Sequence, residues 1–156
     1  MAKRGGARAT AIAASSERAA GLAELGADEV MHQHAPDDRR FDLILESVGG
    51  ESLAASLHRV AEGGSVVLFG NSSDTNPVFD VEFYNRSRGA QLYAFNIMYE
   101  LPRRDRGRDL RWLANELLAG RLDPQISRRT NWRQAADILD ALADRRINGK
   151  AVLRVD

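Results

Sequence analysis

The stretch from Phe41 to Phe69 constrains the fold more than any other part of the chain. It opens with Phe41-Asp42-Leu43-Ile44-Leu45-Glu46, which reads as a strong buried strand ending at Ser47-Val48-Gly49-Gly50. Leu53, Leu57 and Val60 follow at helical spacing, and Gly63-Gly64 is expected to close that helix. Ser65-Val66-Val67-Leu68-Phe69 reads as the next strand, ending at Gly70-Asn71-Ser72-Ser73. Strand, helix, strand at this spacing is a βαβ crossover, and such units build parallel sheets.

The flanks extend the pattern. Residues 9–14 form a short run of small apolar residues suited to a buried strand, and Ser15-Ser16 offers a helix N-cap. Ala19, Leu22, Ala23 and Leu25 continue at helical spacing to Gly26, a natural C-cap, and Val30-Met31 suits a short strand. His34 to Arg40 reads as a loop, as do residues 71–80. A short helix is expected within Val81 to Arg88 and a strand at Gln91–Phe95. Residues 102–109 are charged and expected to be exposed; Leu110, Leu113 and Leu117 stripe a helix ending at Gly120. Asn131 is placed to cap the last helix with Gln134 in reciprocal position, and Ala135, Ile138, Leu139 and Leu142 form that helix's apolar face. Gly149-Lys150 leads into a final strand at Ala151–Val155. The expectation is one α/β domain over residues 1–156, doubly wound around a mainly parallel sheet.

Composition narrows the function. The 22 Lys+Arg residues balance 22 Asp+Glu, which argues against a general nucleic-acid binder. The absence of cysteine removes disulfides and a cysteine-ligated zinc. No apolar run approaches the roughly 20 residues that span a bilayer, and the basic N-terminus has no apolar stretch after it, so the expected location is the cytoplasm, with no membrane partner. His32, His34 and His58 lack the spacing of a metal set, so no metal site is expected. No nucleophile-elbow motif is present. Trp112 and Trp132 fall on or beside helices and are read as packing residues.

Three segments carry a family resemblance: Phe41 to Gly50, Gly63 to Ser73, and Arg145-Arg146-Ile147-Asn148-Gly149-Lys150-Ala151-Val152-Leu153. Ser16-Glu17-Arg18-Ala19 and Leu25-Gly26-Ala27-Asp28-Glu29-Val30 add to it. Together they resemble the medium-chain dehydrogenase/reductase superfamily, and within it the zinc-free, quinone oxidoreductase-like reductases. The resemblance implies a Rossmann-like cofactor domain. It also implies that the first strand, the glycine-rich phosphate turn and the GroES-like catalytic domain of the family are not among these residues; residues 2–7 match the tail of the helix that follows the turn.

Candidate cofactor residues follow from placement and resemblance. Ser15, Ser16 and Arg18 stand at the end of the second strand of the family pattern, where an acid would favour NAD; hydroxyls and a guanidinium suit the 2′-phosphate of NADP. The alternative is a plain N-cap beside a solvated arginine. Ser47, Val48 and Gly49 end one buried strand and Phe69, Gly70 and Asn71 end the next, and ligands of open α/β sheets bind at such strand ends. The alternative is that the glycines only make tight turns. The resemblance places Asn148 and Lys150 in a turn that approaches the cofactor; a bare turn with an exposed lysine is the competing reading.

Two functions remain open at this level. One is part of an NADPH-dependent quinone or enone reductase, transferring hydride from nicotinamide to a conjugated carbonyl, with NADP binding weak or lost in this chain alone and no catalytic residue assignable. The other is a non-catalytic Rossmann module that self-associates. A homodimer is expected on either, because the absent first strand would leave inner strands unpaired and Gln91–Phe95 should lie at a sheet edge.

Overall fold

The computed structural model describes residues 1–32, 38–103 and 105–155, His32 by its backbone alone. His34 and most of the loop expected before Phe41 lie outside the described residues. The chain divides into two compact units, Gln33–Arg106 and Met1–His32 with Gly107–Asp156, each described by itself.

In the unit Gln33–Arg106, β3 (Phe41–Glu46), β4 (Val60–Leu68) and β5 (Gln91–Ala94) form a parallel sheet in that order. Helix α2 (Gly50–Arg59) connects β3 to β4, giving the βαβ unit its sequence implies. One face of α2 is buried: Leu53, Leu57, Val60 and Val66 form the core, with Ile44, Leu68, Phe83 and Ala90 packed against it. The helix closes at Arg59, and Gly63-Gly64 lies inside β4 instead of capping α2. The register between β3 and β4 shifts between Phe41 and Leu43, and Gly63 takes φ 69°, so the glycines accommodate an irregularity in a strand. Alternation puts Leu43 and Leu45 on the face of β3 away from Ile44, and both are more than half exposed. After the loop, α3 (Phe83–Arg86) falls within the expected range, and α4 (Ile97–Glu100) follows β5.

The other unit holds two parallel pairs. β1 (Thr10–Ala13) pairs with β2 (Glu29–His32), and β6 (Ile126–Asn131) pairs with β7 (Lys150–Arg154). Helix α1 covers only Ser16–Ala19; Gly21, at φ 81°, breaks the apolar periodicity that suggested a helix reaching Leu25. α5 (Arg106–Leu118) begins inside the charged stretch 102–109, whose described residues are exposed as expected. α6 (Ala135–Ala143) buries Ala141 and half-buries Ala135 and Ile138, whereas Leu139 and Leu142 are exposed, so only part of the expected stripe packs. Asn131 caps the short 3-10 turn Trp132–Gln134 ahead of α6 by accepting from the Arg133 amide at 3.0 Å, and Gln134 accepts from the Thr130 hydroxyl.

Glu116 fastens the N-terminal segment to α5. Its carboxylate, almost fully buried, takes a two-pronged bond from Arg121 at 2.9 and 3.0 Å and a second ion pair from Arg4, whose guanidinium also lies 5.9 Å from the Trp112 ring centre. The Arg121 hydrogen bonds hold the Glu116 carboxyl below the usual carboxylate range, against a desolvation effect of opposite sign. A depressed carboxyl contributes stability above its unfolded-state pKa, about 4.3, and loses it as pH falls through the lower folded-state value. Urea melts across that acid range should therefore show Glu116→Gln with a flatter loss of stability than the wild type; parallel curves would remove Glu116 as a source of acid sensitivity.

Candidate functional site

The carboxyl ends of β3 and β4 form one continuous rim. The Phe69 amide donates to the Glu46 carbonyl at 2.8 Å, extending the ladder past β4, and the Ser72 and Ser73 amides donate to the carbonyls of Ser47 and Val48 at 3.2 and 2.8 Å. Ser47, Val48 and Gly49 thus lie against Phe69, Gly70 and Asn71, so these six candidates are brought together. A Cβ on Gly70 would stand 2.8 Å from the Ser47 carbonyl oxygen, which is why glycine sits at this close approach.

The glycines of the first turn lie against the chain's own loop. Gly49 (φ 80°) and Gly50 (φ 48°) are buried, and added Cβ atoms would overlap Asn71 Oδ1 and Thr75 Oγ1. The chain's own loop, Asn71 to Thr75, makes the approach; Ser73 Oγ lies 2.9 Å from Thr75 Oγ1 and knits that loop together. Val48, Phe69 and Asn71 are exposed along the rim.

Glu46, which the sequence did not single out, builds this rim from beneath. Its side chain is buried at 3% exposure and accepts four bonds: from the amides of Val48 (2.6 Å) and Gly49 (3.4 Å), and from the hydroxyls of Ser52 (2.8 Å) and Ser56 (3.1 Å). One carboxylate therefore ties the end of β3, the turn and the first two turns of α2 into a single piece. Amide and hydroxyl donors satisfy this buried carboxyl group, which makes no ion pair among the described residues.

In the other unit, Ser15 is the N-cap of α1, its hydroxyl accepting from the Arg18 amide at 3.4 Å. A hydrogen bond from Ser15 also lowers the carboxyl of Glu17. The capping reading of Ser15 therefore holds. Ser16 and Arg18 are exposed on the same turn, and the Arg18 guanidinium has no carboxylate partner among the described residues. Asn148 and Lys150 flank Gly149, whose φ of 106° and approach to the Gln125 carbonyl fix a tight turn; the Lys150 amide donates to that carbonyl at 2.7 Å.

The arrangement is a Rossmann-like α/β fold with parallel strands, and the sequence comparison agrees. Residues 25–153 match the family model described as zinc-binding dehydrogenase, and the chain belongs to that family. Its fold is shared by many solved structures. A mycobacterial quinone oxidoreductase superposes with a TM-score of 0.79 at 21% identity, over 97% of this chain and 50% of its own. A mycobacterial protein complexed with NADPH gives 0.76 at 21%, over 97% and 50%. A Bacillus subtilis protein with NAD bound gives 0.71 at 23%, over 96% and 47%. The chain spans about half the length of each. No curated protein matches the sequence.

The metal in the family's description does not fit the donors present. The chain has no cysteine, and no group of three or more His, Asp or Glu among the described residues could hold a metal ion. No helix among the described residues is long and apolar enough to cross a membrane.

Proposed function

We propose that this chain supplies the strand-end portion of a nicotinamide dinucleotide site in a zinc-independent reductase of the quinone or enone kind. The observation that carries this reading is the rim at Ser47–Gly49 and Phe69–Asn71, two adjacent parallel strand ends held rigid by Glu46. The NADPH and NAD complexes of the two similar folds support a nicotinamide cofactor. Bound there, the cofactor would supply the hydride. The chain's contribution is positional: Val48, Phe69 and Asn71 offer exposed contact surface, while Ser16 and Arg18 offer an unpaired cation and a hydroxyl to a 2′-phosphate. Asn148 and Lys150 complete the proposed set. Glu17, on the same turn as Arg18, works against a phosphate there, and Arg18 must outweigh it.

Binding by this chain alone is expected to be weak. It contains no G-x-G-x-x-G turn, so it lacks the backbone donors and helix N-terminus that cradle a pyrophosphate. Arg18→Ala should weaken NADPH more than NADH in a titration followed by nicotinamide fluorescence; equal losses would refute the 2′-phosphate role.

A second reading, a self-associating module without catalysis, is favoured by exposed strand surface. β5 pairs only with β4 among the described residues, and its Leu92 and Tyr93 are 50% and 45% exposed. Such an edge suits pairing with a second copy about a two-fold axis. Light scattering should give the mass of a dimer at micromolar concentration and a monomer for Leu92→Lys. A wild-type monomer would end this reading.

A further inference from the structure

The unit that carries β6 and α6 contains a cavity of about 310 Å³ whose lining residues have no role in the reading above. Its apolar floor is Ile138, Ala141 and Ile147, of which the last two are buried. Arg128 and Arg146 stand in its lining, with Asp137 the one acid there. Arg128 has no carboxylate partner among the described residues. Arg146 binds Asp144 through Nε (3.2 Å) and Nη2 (3.0 Å), but both side chains are 62% exposed, and so exposed a pair gives up little when a ligand competes for it. The turn carrying Arg146 includes Arg145 at φ 56°, a left-handed conformation uncommon for a residue other than glycine. Volume, apolar floor and unpaired guanidinium together are the make-up of a small-molecule site, whose usual range begins at about 300 Å³.

We infer that this cavity binds a small organic oxyanion with an apolar body, a carboxylate or a monophosphate, its charge on Arg128 and Arg146 and its body over Ile138, Ala141 and Ile147. Guanidinium groups pair with carboxylate and phosphate oxygens in a planar, two-pronged geometry, so either headgroup satisfies the same residues. Arg129 is a lining residue too, but strand alternation predicts its side chain on the face of β6 opposite Arg128 and Thr130, so Arg129→Gln serves as the comparison variant.

The probes are phenyl phosphate, benzoate, inorganic phosphate and benzyl alcohol, each titrated into the ¹⁵N-labelled full chain at constant ionic strength. Phenyl phosphate or benzoate should saturate one site with shifts at Thr130, Ile138 and Ile147. Whichever binds more tightly identifies the headgroup. Inorganic phosphate and benzyl alcohol should each bind at least about tenfold more weakly, having lost the floor or the charge. Arg128→Gln should weaken the better probe by about tenfold or more and Arg129→Gln by much less, while Asp137→Asn should strengthen it. That gain cannot come from a variant that has simply failed to fold. Absence of saturable shifts at these residues with either organic anion, equal losses for Arg128→Gln and Arg129→Gln, or weaker binding in a folded Asp137→Asn would each overturn the assignment.

Discussion

Replacing Glu46 with alanine should destabilise the unit Gln33–Arg106 by roughly 3–5 kcal/mol, enough to unfold a marginal domain. The substitution removes four hydrogen bonds at once. It leaves the Ser56 hydroxyl and the Gly49 amide buried without their acceptor, and the cost of an unmet buried donor exceeds the net worth of the bond it lost. Glu46→Gln keeps the shape and one acceptor oxygen, so its loss should be markedly smaller. Denaturant melts of the two variants separate these effects. An alanine variant within about 1 kcal/mol of wild type would mean that the rim is not organised by this carboxylate.

Gly149→Ala should cost about 2–4 kcal/mol. At φ 106° an L-residue is strained wherever it sits, and its Cβ would overlap the Gln125 carbonyl oxygen, a backbone atom that already accepts from the Lys150 amide. Relieving the overlap means moving the start of β7 away from β6. Thermal unfolding should show a correspondingly lower midpoint. An unchanged melting temperature would show that the turn relaxes freely and cannot hold Asn148 and Lys150 in place.

The βαβ unit was legible because its signals are local and agree. Phe41–Glu46 is a strand at the expected residues, packed on the Ile44 face alone, with Leu43 and Leu45 exposed on the other. Leu53 and Leu57 bury the face their spacing marks. β6 was not read at all: Ile126-Ser127-Arg128-Arg129-Thr130-Asn131 holds a single aliphatic residue, and the strand exists through its pairing with β7, a partner distant in sequence. The helix expected to run through Leu25 stops at Ala19 because one glycine outweighs four well-spaced apolar residues when no core is there to reward them.

The site divides in the same way. Strand ends are visible in a sequence, so Ser47–Gly49 and Phe69–Asn71 could be named and are found side by side. What supports them was hidden. Glu46 at the end of an apolar run reads as the charge that ends a strand, and only the fold shows Ser52 and Ser56 turned toward it. Their spacing of four, on the same helix as the buried Leu53 and Leu57, was the available signal. Likewise, Gly49 is legible as the end of a strand, but only the fold shows the loop Asn71 to Thr75 lying against it.

The most direct test of the cofactor reading is a titration of NADPH into the ¹⁵N-labelled chain, followed residue by residue. Weak, saturable binding in the millimolar range is expected, with shifts confined to Ser15, Ser16 and Arg18, the rim at Ser47–Gly49 and Phe69–Asn71, and the turn at Asn148 and Lys150. Saturable shifts elsewhere, or none at the rim when NADPH reaches several times the protein concentration in the millimolar range, would contradict it.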